Sequence, residues 1–262
     1  MVFHVTAHAA AARRPLSDAD ACWALWWRLR RVFEHVIAAC LMPDHLHVLA
    51  HATSVDAVRR ALGYQLGAFA RELGAGPQWQ PVPPPLPVLG DDKLERQMRY
   101  ALLNPVRAGF VGDPASWLWS THRDVTGVRA DPWVTPVELA VALGRPDDRF
   151  VEWFHRYVSS DPSVAVGGSP LPLLATGGRL DEIARAVSCA ATEDATRRRL
   201  FALVAAHVGH LRRVIAAELG ISPDTVTRWT RRPAPELLRA GLLCLGDERL
   251  RTAPRFRRLR AA

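Results

Sequence analysis

The sequence predicts an α+β domain, helices packed on an antiparallel sheet, followed by an all-α domain, and three observations predict it. Short β-branched runs with period-two alternation near the start give three strands, with a helix between the first two. Apolar residues recur at helical spacing beside them. From about residue 178 the composition becomes helical and basic, ending in a capped pair of short helices.

Residues 2–8 alternate and read as the first strand. A turn-like stretch to Pro15 leads to Ser17 and Asp18, either of which can cap a helix through Trp23, Leu25, Trp26, Leu29 and Val32. Phe33 to Cys40 reads as a second strand, Met42-Pro43-Asp44 as a turn, and His45 to His51 as a third strand pairing back as a hairpin. Ser54 opens a second helix through Val58, Leu62, Leu66 and Phe69, up to Gly74. Residues 77–90 are too proline-rich for a helix or a central strand, and read as an extended loop with room for one edge strand. Asp91-Asp92 then caps a helix through Leu94, Met98, Ala101 and Leu102. Residues 113–170 are mixed, and Gly167-Gly168-Ser169-Pro170 is the best boundary signal. The expected division is 1–127, a connecting segment 128–175, and a helical domain 176–262.

Half of the 262 residues are apolar and 23% are charged, which fits a folded protein with a buried core. The net charge is +8 and Lys93 is the only lysine. A GC-rich genome explains the arginine bias, but the charge itself favours a polyanionic partner. Cys22, Cys40, Cys189 and Cys244 include no CxxC pair and read as reduced, buried residues. The chain opens directly on a strand pattern, without a signal peptide, and no apolar run approaches the ~20 residues of a membrane span. The expected location is cytoplasmic, associated with the nucleoid.

His45-Leu46-His47 carries the first chemical signal. On a strand, alternation puts both imidazoles on one face about 7 Å apart, close enough to converge on one divalent cation. By spacing alone the pair also fits two histidines on a solvated face. Tyr100, from composition and spacing alone, reads as a core tyrosine, and Tyr64 and Tyr157 read as packing residues. Asn104 follows Tyr100 by four residues and shares its helix face; it also reads as a helix C-cap before Pro105.

The stretch Leu41-Met42-Pro43-Asp44-His45-Leu46-His47-Val48-Leu49 resembles the histidine-hydrophobe-histidine motif of HUH-type tyrosine transposases. The stretch from Arg99 to Gly109 resembles the tyrosine-bearing motif of the REP-associated branch of that superfamily. Trp117-Leu118-Trp119-Ser120-Thr121-His122-Arg123 resembles the aromatic-Ser-Ser-x-Arg piece that follows it there. The three pieces stand in the family's order, over roughly residues 2–127.

The resemblance implies a ferredoxin-like antiparallel sheet with helices on one face. It makes Tyr100 the nucleophile and His45, His47 and Asn104 the metal site. The donor set, two imidazoles and an amide oxygen with open positions, suits Mg²⁺ or Mn²⁺ at a phosphate. The implied reaction is transesterification on single-stranded, hairpin-forming DNA through a 5′-phosphotyrosine, a phenol of ordinary pKa about 10 needing help to attack. Arg99, Arg107 and Arg123 are candidates for phosphate contacts, or ordinary solvated charges. The chain departs from the family's pattern in the loop after the first strand, Ala7-His8-Ala9-Ala10 instead of an Arg-Gly sequence, and in the proline-rich 81–87 run. It also lacks the usual basic stretch before the first strand, so a later start than the natural one is an expectation. These departures bear on DNA specificity more than on the chemistry.

Residues 210–229 read as a helix-turn-helix: Ile215, Ala216 and Leu219 form an apolar face, Gly220 supplies the turn, and Ser222 caps a second helix with Pro223 at its first position. Thr225, Thr227 and Arg228 would face the major groove of duplex DNA, with Arg231 and Arg232 on the backbone. A plain helical hairpin fits the same pattern. Residues 196–262 hold 15 arginines against five carboxylates, a net of +10, and 255–260 read as a phosphate-binding arm. This domain resembles the helix-turn-helix appended to some REP-associated transposases and to bacterial replication initiators. Two other classes stay open: a non-catalytic, domesticated DNA-binding or regulatory protein, and a histidine-metal hydrolase in which Tyr100 is dispensable. Monomer and homodimer are both compatible with the sequence.

Overall fold

The computed structural model describes residues 1–11, 13–74, 78–161, 174–191, 193–232, 234–247 and 250. They fall into two units, 1–125 with 133–161 and 126–132 with 174 onward. Residues 133–161 therefore belong to the first unit and not to a connecting segment. The boundary signal at 167–170 and the arm at 255–260 lie outside the described residues.

The first unit runs β1 (Val2–His8), α1 (Ala19–Arg30), β2 (Val36–Leu41), β3 (His45–His51), α2 (Val55–Glu72), β4 (Leu86–Val88) and α3 (Asp91–Arg107). After a 3-10 turn at Pro114–Ser116 come α4 (His122–Val125), α5 (Pro136–Ala142) and α6 (Phe150–Ser159). The strands form one antiparallel sheet in the order β2-β3-β1-β4. This is the α+β arrangement expected from the sequence.

The register between β1 and β3 pairs Thr6 with His47 and His8 with His45. Strand alternation therefore places His4, Thr6, His8, His45 and His47 on one face, and Phe3, Val5, Ala7, Leu46 and Val48 on the other. The second set is buried. α2 packs on β1 and α1 on α2, so these helices cover the apolar face with Leu25, Trp26, Leu29, Leu62 and Phe69, all fully buried. Each such side chain contributes about 1.5–3 kcal/mol of burial. The histidine face carries a helix of its own, α3, which packs against β2 and β3, so helices lie on both faces of the sheet and not on one as the resemblance implied.

Local signals explain the boundaries. Asp18 caps α1 by accepting from the amides of Asp20 and Ala21, and Ser54 caps α2 by accepting from Ala57. β2 starts at Val36, later than the apolar run suggested, because the amides of Val32 and Phe33 bond back to Leu29 and finish the turn after α1. Gly90, with φ 85°, takes the N-cap position of α3; Asp91 and Asp92 sit in its first turn, where they favour the positive end of the helix dipole. α3 does not stop at Pro105. The proline lacks a donor for the carbonyl of Ala101, but the Ala108 amide bonds to Asn104 and the left-handed Gly109 closes the helix. Asn104 is thus a helix-interior residue and not a C-cap.

β2 is buried along its whole length although it ends the sheet. Residues 117–121 cover that edge: the Leu41 amide donates to Trp119, the Thr121 amide to Ala39, and the Trp117 indole to the Leu41 carbonyl. The 133–161 region, mixed by composition, folds as α5 and α6. Thr135 and Glu138 form a capping box ahead of α5, and α6 buries Phe150, Phe154, His155 and Val158.

The second unit is helical: α7 (Leu180–Ala190), α8 (Asp194–His207), α9 (Arg212–Leu219), α10 (Pro223–Arg231) and α11 (Pro235–Gly246). Gly220, left-handed at φ 61° and ψ 41°, turns the chain after α9. Ser222 caps α10 by accepting from Thr225, with Pro223 at the first position. Ile215, Ala216 and Val226 close the helix pair from within. The sequence did not suggest α11, which packs on α7 and α8 and buries Leu242, Leu243 and Leu245. Gly241 is what permits that approach: a Cβ there would lie 2.5 Å from Val204 Cγ2 and 2.7 Å from Leu200 Cδ1. Gly241→Val is expected to destabilise this unit by about 1–3 kcal/mol through overpacking, read as a lower denaturation midpoint.

Candidate metal and nucleophile site

The chemistry converges on the histidine face of the sheet. β3 presents His45 and His47 with ring centroids 5.2 Å apart and nearly perpendicular planes. β1 adds His4 beside His47 (5.2 Å) and His8 stacked on His45 (5.4 Å). From α3, one stripe at helical spacing, Gln97, Tyr100 and Asn104, faces this cluster. The Asn104 amide reaches His47 Nε2 at 2.5 Å, and Gln97 Oε1 lies 2.8 Å from His4 Nδ1. The Tyr100 ring centroid is 5.6 Å from that of His47 and 6.4 Å from that of His4.

The two histidines of β3 differ in their surroundings. His47 is buried at 3% exposure. Burial first, and then the neighbouring His4, His45 and His8, push its pKa down to about 3. It is therefore neutral at physiological pH, with one nitrogen bare. His45 Nδ1 is 2.7 Å from Asp44 Oδ1. Burial raises the Asp44 carboxyl, but the hydrogen bond and charge of His45, with a backbone hydrogen bond and the charge of Arg14, together outweigh it and hold the carboxyl below its ordinary value. In both rings Nδ1 is engaged, by Asp44 in one and by His4 in the other (3.1 Å). Nε2 is then the nitrogen of each ring that could serve a metal, as an outer partner on Nδ1 commonly arranges.

The residues present fit a divalent cation on the chemistry of the donor set. Two imidazoles with Nδ1 anchored, and an amide already against one Nε2, would make a partial coordination shell with open positions. A half-turn of the Asn104 amide puts its oxygen where its nitrogen stands. Among the described residues no group of three His, Cys, Asp or Glu side chains could hold a metal, so any cation here depends on the amide as its third protein donor.

Tyr100 is not a core residue: it is 44% exposed. Its ring stacks with the Arg107 guanidinium at 4.9 Å. Arg107 is bonded to Asp161 at 2.5 Å, and Arg99 approaches the same carboxylate at 3.8 Å while lying 4.7 Å over the Tyr157 ring. Arg99 and Arg107 are thus fixed beside Tyr100. Arg123 is not. It is fully buried at 0% exposure and donates to the Ala115 carbonyl, so it belongs to the core beneath the β2 edge and offers no surface contact to phosphate. Arg123→Ala is expected to lower stability by about 1–3 kcal/mol, measured by chemical denaturation, without weakening DNA binding by the folded protein. Tyr64 also departs from the packing role read from sequence, since it is 70% exposed.

In the second unit, Arg228, Arg231 and Arg232 are exposed and line, with Asp224 and Thr227, an open cavity of about 450 Å³. The Thr227 hydroxyl donates to the Pro223 carbonyl, and the Thr225 hydroxyl pairs with that of Ser222. Both threonines spend a hydrogen bond inside the helix, and the arginines dominate the surface. His4, His8, Gln97 and Asp44 are the site residues that the sequence motifs did not single out.

Residues 191–237 match the family model of a homeodomain-like domain. No curated protein matches the chain in sequence. A solved structure described as a REP-associated tyrosine transposase bound to a REP hairpin is similar at TM-score 0.39 and 20% identity, over 47% of this chain and 78% of that one. A likeness this distant fixes no residue's role. Among the described residues no helix is long and apolar enough to cross a membrane.

Proposed function

We propose that the protein is a metal-dependent, single-strand DNA nicking and joining enzyme with Tyr100 as nucleophile. The observation that carries this reading is the position of Tyr100: half-exposed, one helical turn from Asn104, with its ring 5.6 Å from buried, neutral His47. His45, His47 and Asn104 would hold Mg²⁺ or Mn²⁺. Such a cation polarises a phosphodiester and stabilises charge developing on its oxygens. The Tyr100 hydroxyl attacks phosphorus, the bond to the 3′ oxygen breaks, and the phenol proton ends on the released 3′-OH. The product is a 5′-phosphotyrosine that keeps the energy of the phosphodiester, so a second strand can be joined without ATP. Arg107, stacked on the Tyr100 ring and bonded to Asp161, orients the phenol and offers its remaining donors to an adjacent phosphate.

The helix pair α9–α10 supports a duplex-binding role for the second unit, with Arg228 toward the groove and Arg231 and Arg232 toward the backbone. Arg231→Ala is expected to weaken binding about equally for all duplex sequences and to reduce the slope of log affinity against log salt by ~1, measured by fluorescence anisotropy.

The test of the catalytic reading is incubation with hairpin-bearing single-stranded DNA and Mn²⁺, followed by a denaturing gel. A protein–DNA adduct that disappears in His45→Ala and His47→Ala supports it. Absence of an adduct with every hairpin substrate, while the DNA is bound, leaves a non-catalytic DNA-binding protein.

A further inference from the structure

We infer that His4 and Gln97 are positioning residues that fix the tautomer of His47, so that its Nε2 always faces the site as a bare lone pair. This rests on the metal reading of His45, His47 and Asn104 for its use, but the hydrogen-bond chain stands on its own geometry.

The chain has three links. Gln97 Oε1 lies 2.8 Å from His4 Nδ1. A carbonyl oxygen only accepts, so the proton is on His4 Nδ1 and His4 Nε2 is bare. His4 Nε2 lies 3.1 Å from His47 Nδ1. A bare nitrogen there requires the proton on His47 Nδ1, and His47 Nε2 is then the lone pair. The far end agrees independently, because Asn104 Nδ2, a donor, stands at His47 Nε2. Reversing any one link gives a clash of two donors or two acceptors elsewhere in the chain. Both histidines are buried, at 6% and 3% exposure, so water does not readily supply a substitute partner.

The elements that set this chain are those that set the site. His4 is on β1, two residues from the partner of His47 in the ladder. Gln97 precedes Tyr100 by three residues and Asn104 by seven, one stripe of α3. The helix thus delivers the nucleophile and the amide from its later turns and the tautomer anchor from an earlier one. Outer partners of metal-binding imidazoles affect metal affinity by about 10–100-fold, and the same range is expected here.

The test is long-range ¹H–¹⁵N correlation NMR of the imidazole nitrogens in the metal-free 262-residue protein, paired with Mn²⁺ titration. Both His4 and His47 are expected as Nδ1–H tautomers. Gln97→Glu supplies an acceptor of the same reach and should keep that pattern, with Mn²⁺ affinity within a few-fold of the parent. Gln97→Leu removes the acceptor; His47 should then populate the Nε2–H form, with Mn²⁺ affinity falling about 10–100-fold. Finding His47 as Nε2–H in the parent, or an unchanged tautomer in a folded Gln97→Leu protein, overturns the inference. A parent with both Nδ1–H tautomers but no Mn²⁺ affinity upholds the chain and overturns the metal reading alone.

Discussion

Tyr100→Phe is expected to abolish both cleavage and joining of hairpin DNA while leaving the fold unchanged. The substitution removes one hydroxyl from a side chain that is 44% exposed, and surface changes of this kind stay within about 0.5 kcal/mol in stability. The ring remains, and with it the stacking of Arg107 at 4.9 Å. What is lost is the hydroxyl proposed as the nucleophile. Neither other tyrosine can replace it: Tyr64 lies on α2, which covers the opposite face of the sheet, and Tyr157 is held between Trp153 and Arg99. The measurement is product formation from an end-labelled hairpin substrate, alongside a thermal melt. Cleavage that persists in Tyr100→Phe would mean that water, and not the phenol, attacks the phosphate.

His47→Ala has the second-largest expected effect. It removes the buried imidazole whose Nε2 meets Asn104 and whose Nδ1 meets His4. The loss of several kcal/mol of charge stabilisation at the phosphate corresponds to roughly a thousandfold in rate, at ~1.4 kcal/mol per decade. Mn²⁺ affinity should fall with it. Folding should suffer less, by about 1–3 kcal/mol for the unpaired His4. A chelator should reproduce the rate loss in the parent protein, reversibly on adding Mn²⁺. Activity insensitive to both chelation and His47→Ala would separate the histidines from the reaction.

Much of this architecture is legible in the residue order because local signals are strong where they decide the site. The alternation of 2–8 and of His45–His51 fixes which side chains share a face, and Ser54, Asp18, Ser222 and Gly220 mark helix ends through hydrogen bonds within a few residues. His4 and His8 illustrate what alternation alone leaves out. They share a face with Thr6 on β1, but only the register of β1 against β3 brings them beside His47 and His45. Gln97 was hidden for the same reason, since nothing within α3 says that its partner lies 93 positions earlier.

Other residues were misread because context overrides local preference. Arg123 looks like a surface charge in sequence, and is buried because 117–121 close the edge of β2 and draw α4 inward. Pro105 reads as a helix stop, yet the donor it lacks falls in the last turn before Gly109, where the helix is about to end. The capping box at Thr135 and Glu138 was a legible helix start inside a stretch whose composition hid it.

The most direct measurement is the identity of the residue joined to DNA. The parent protein is incubated with hairpin-bearing single-stranded DNA and Mn²⁺, digested with nuclease and protease, and the modified peptide is mapped by mass spectrometry. A nucleotide linked through its 5′-phosphate to the peptide containing Tyr100 is the expected result. Cleaved DNA with no modified peptide, or a nucleotide on any other residue, contradicts a Tyr100 nucleophile.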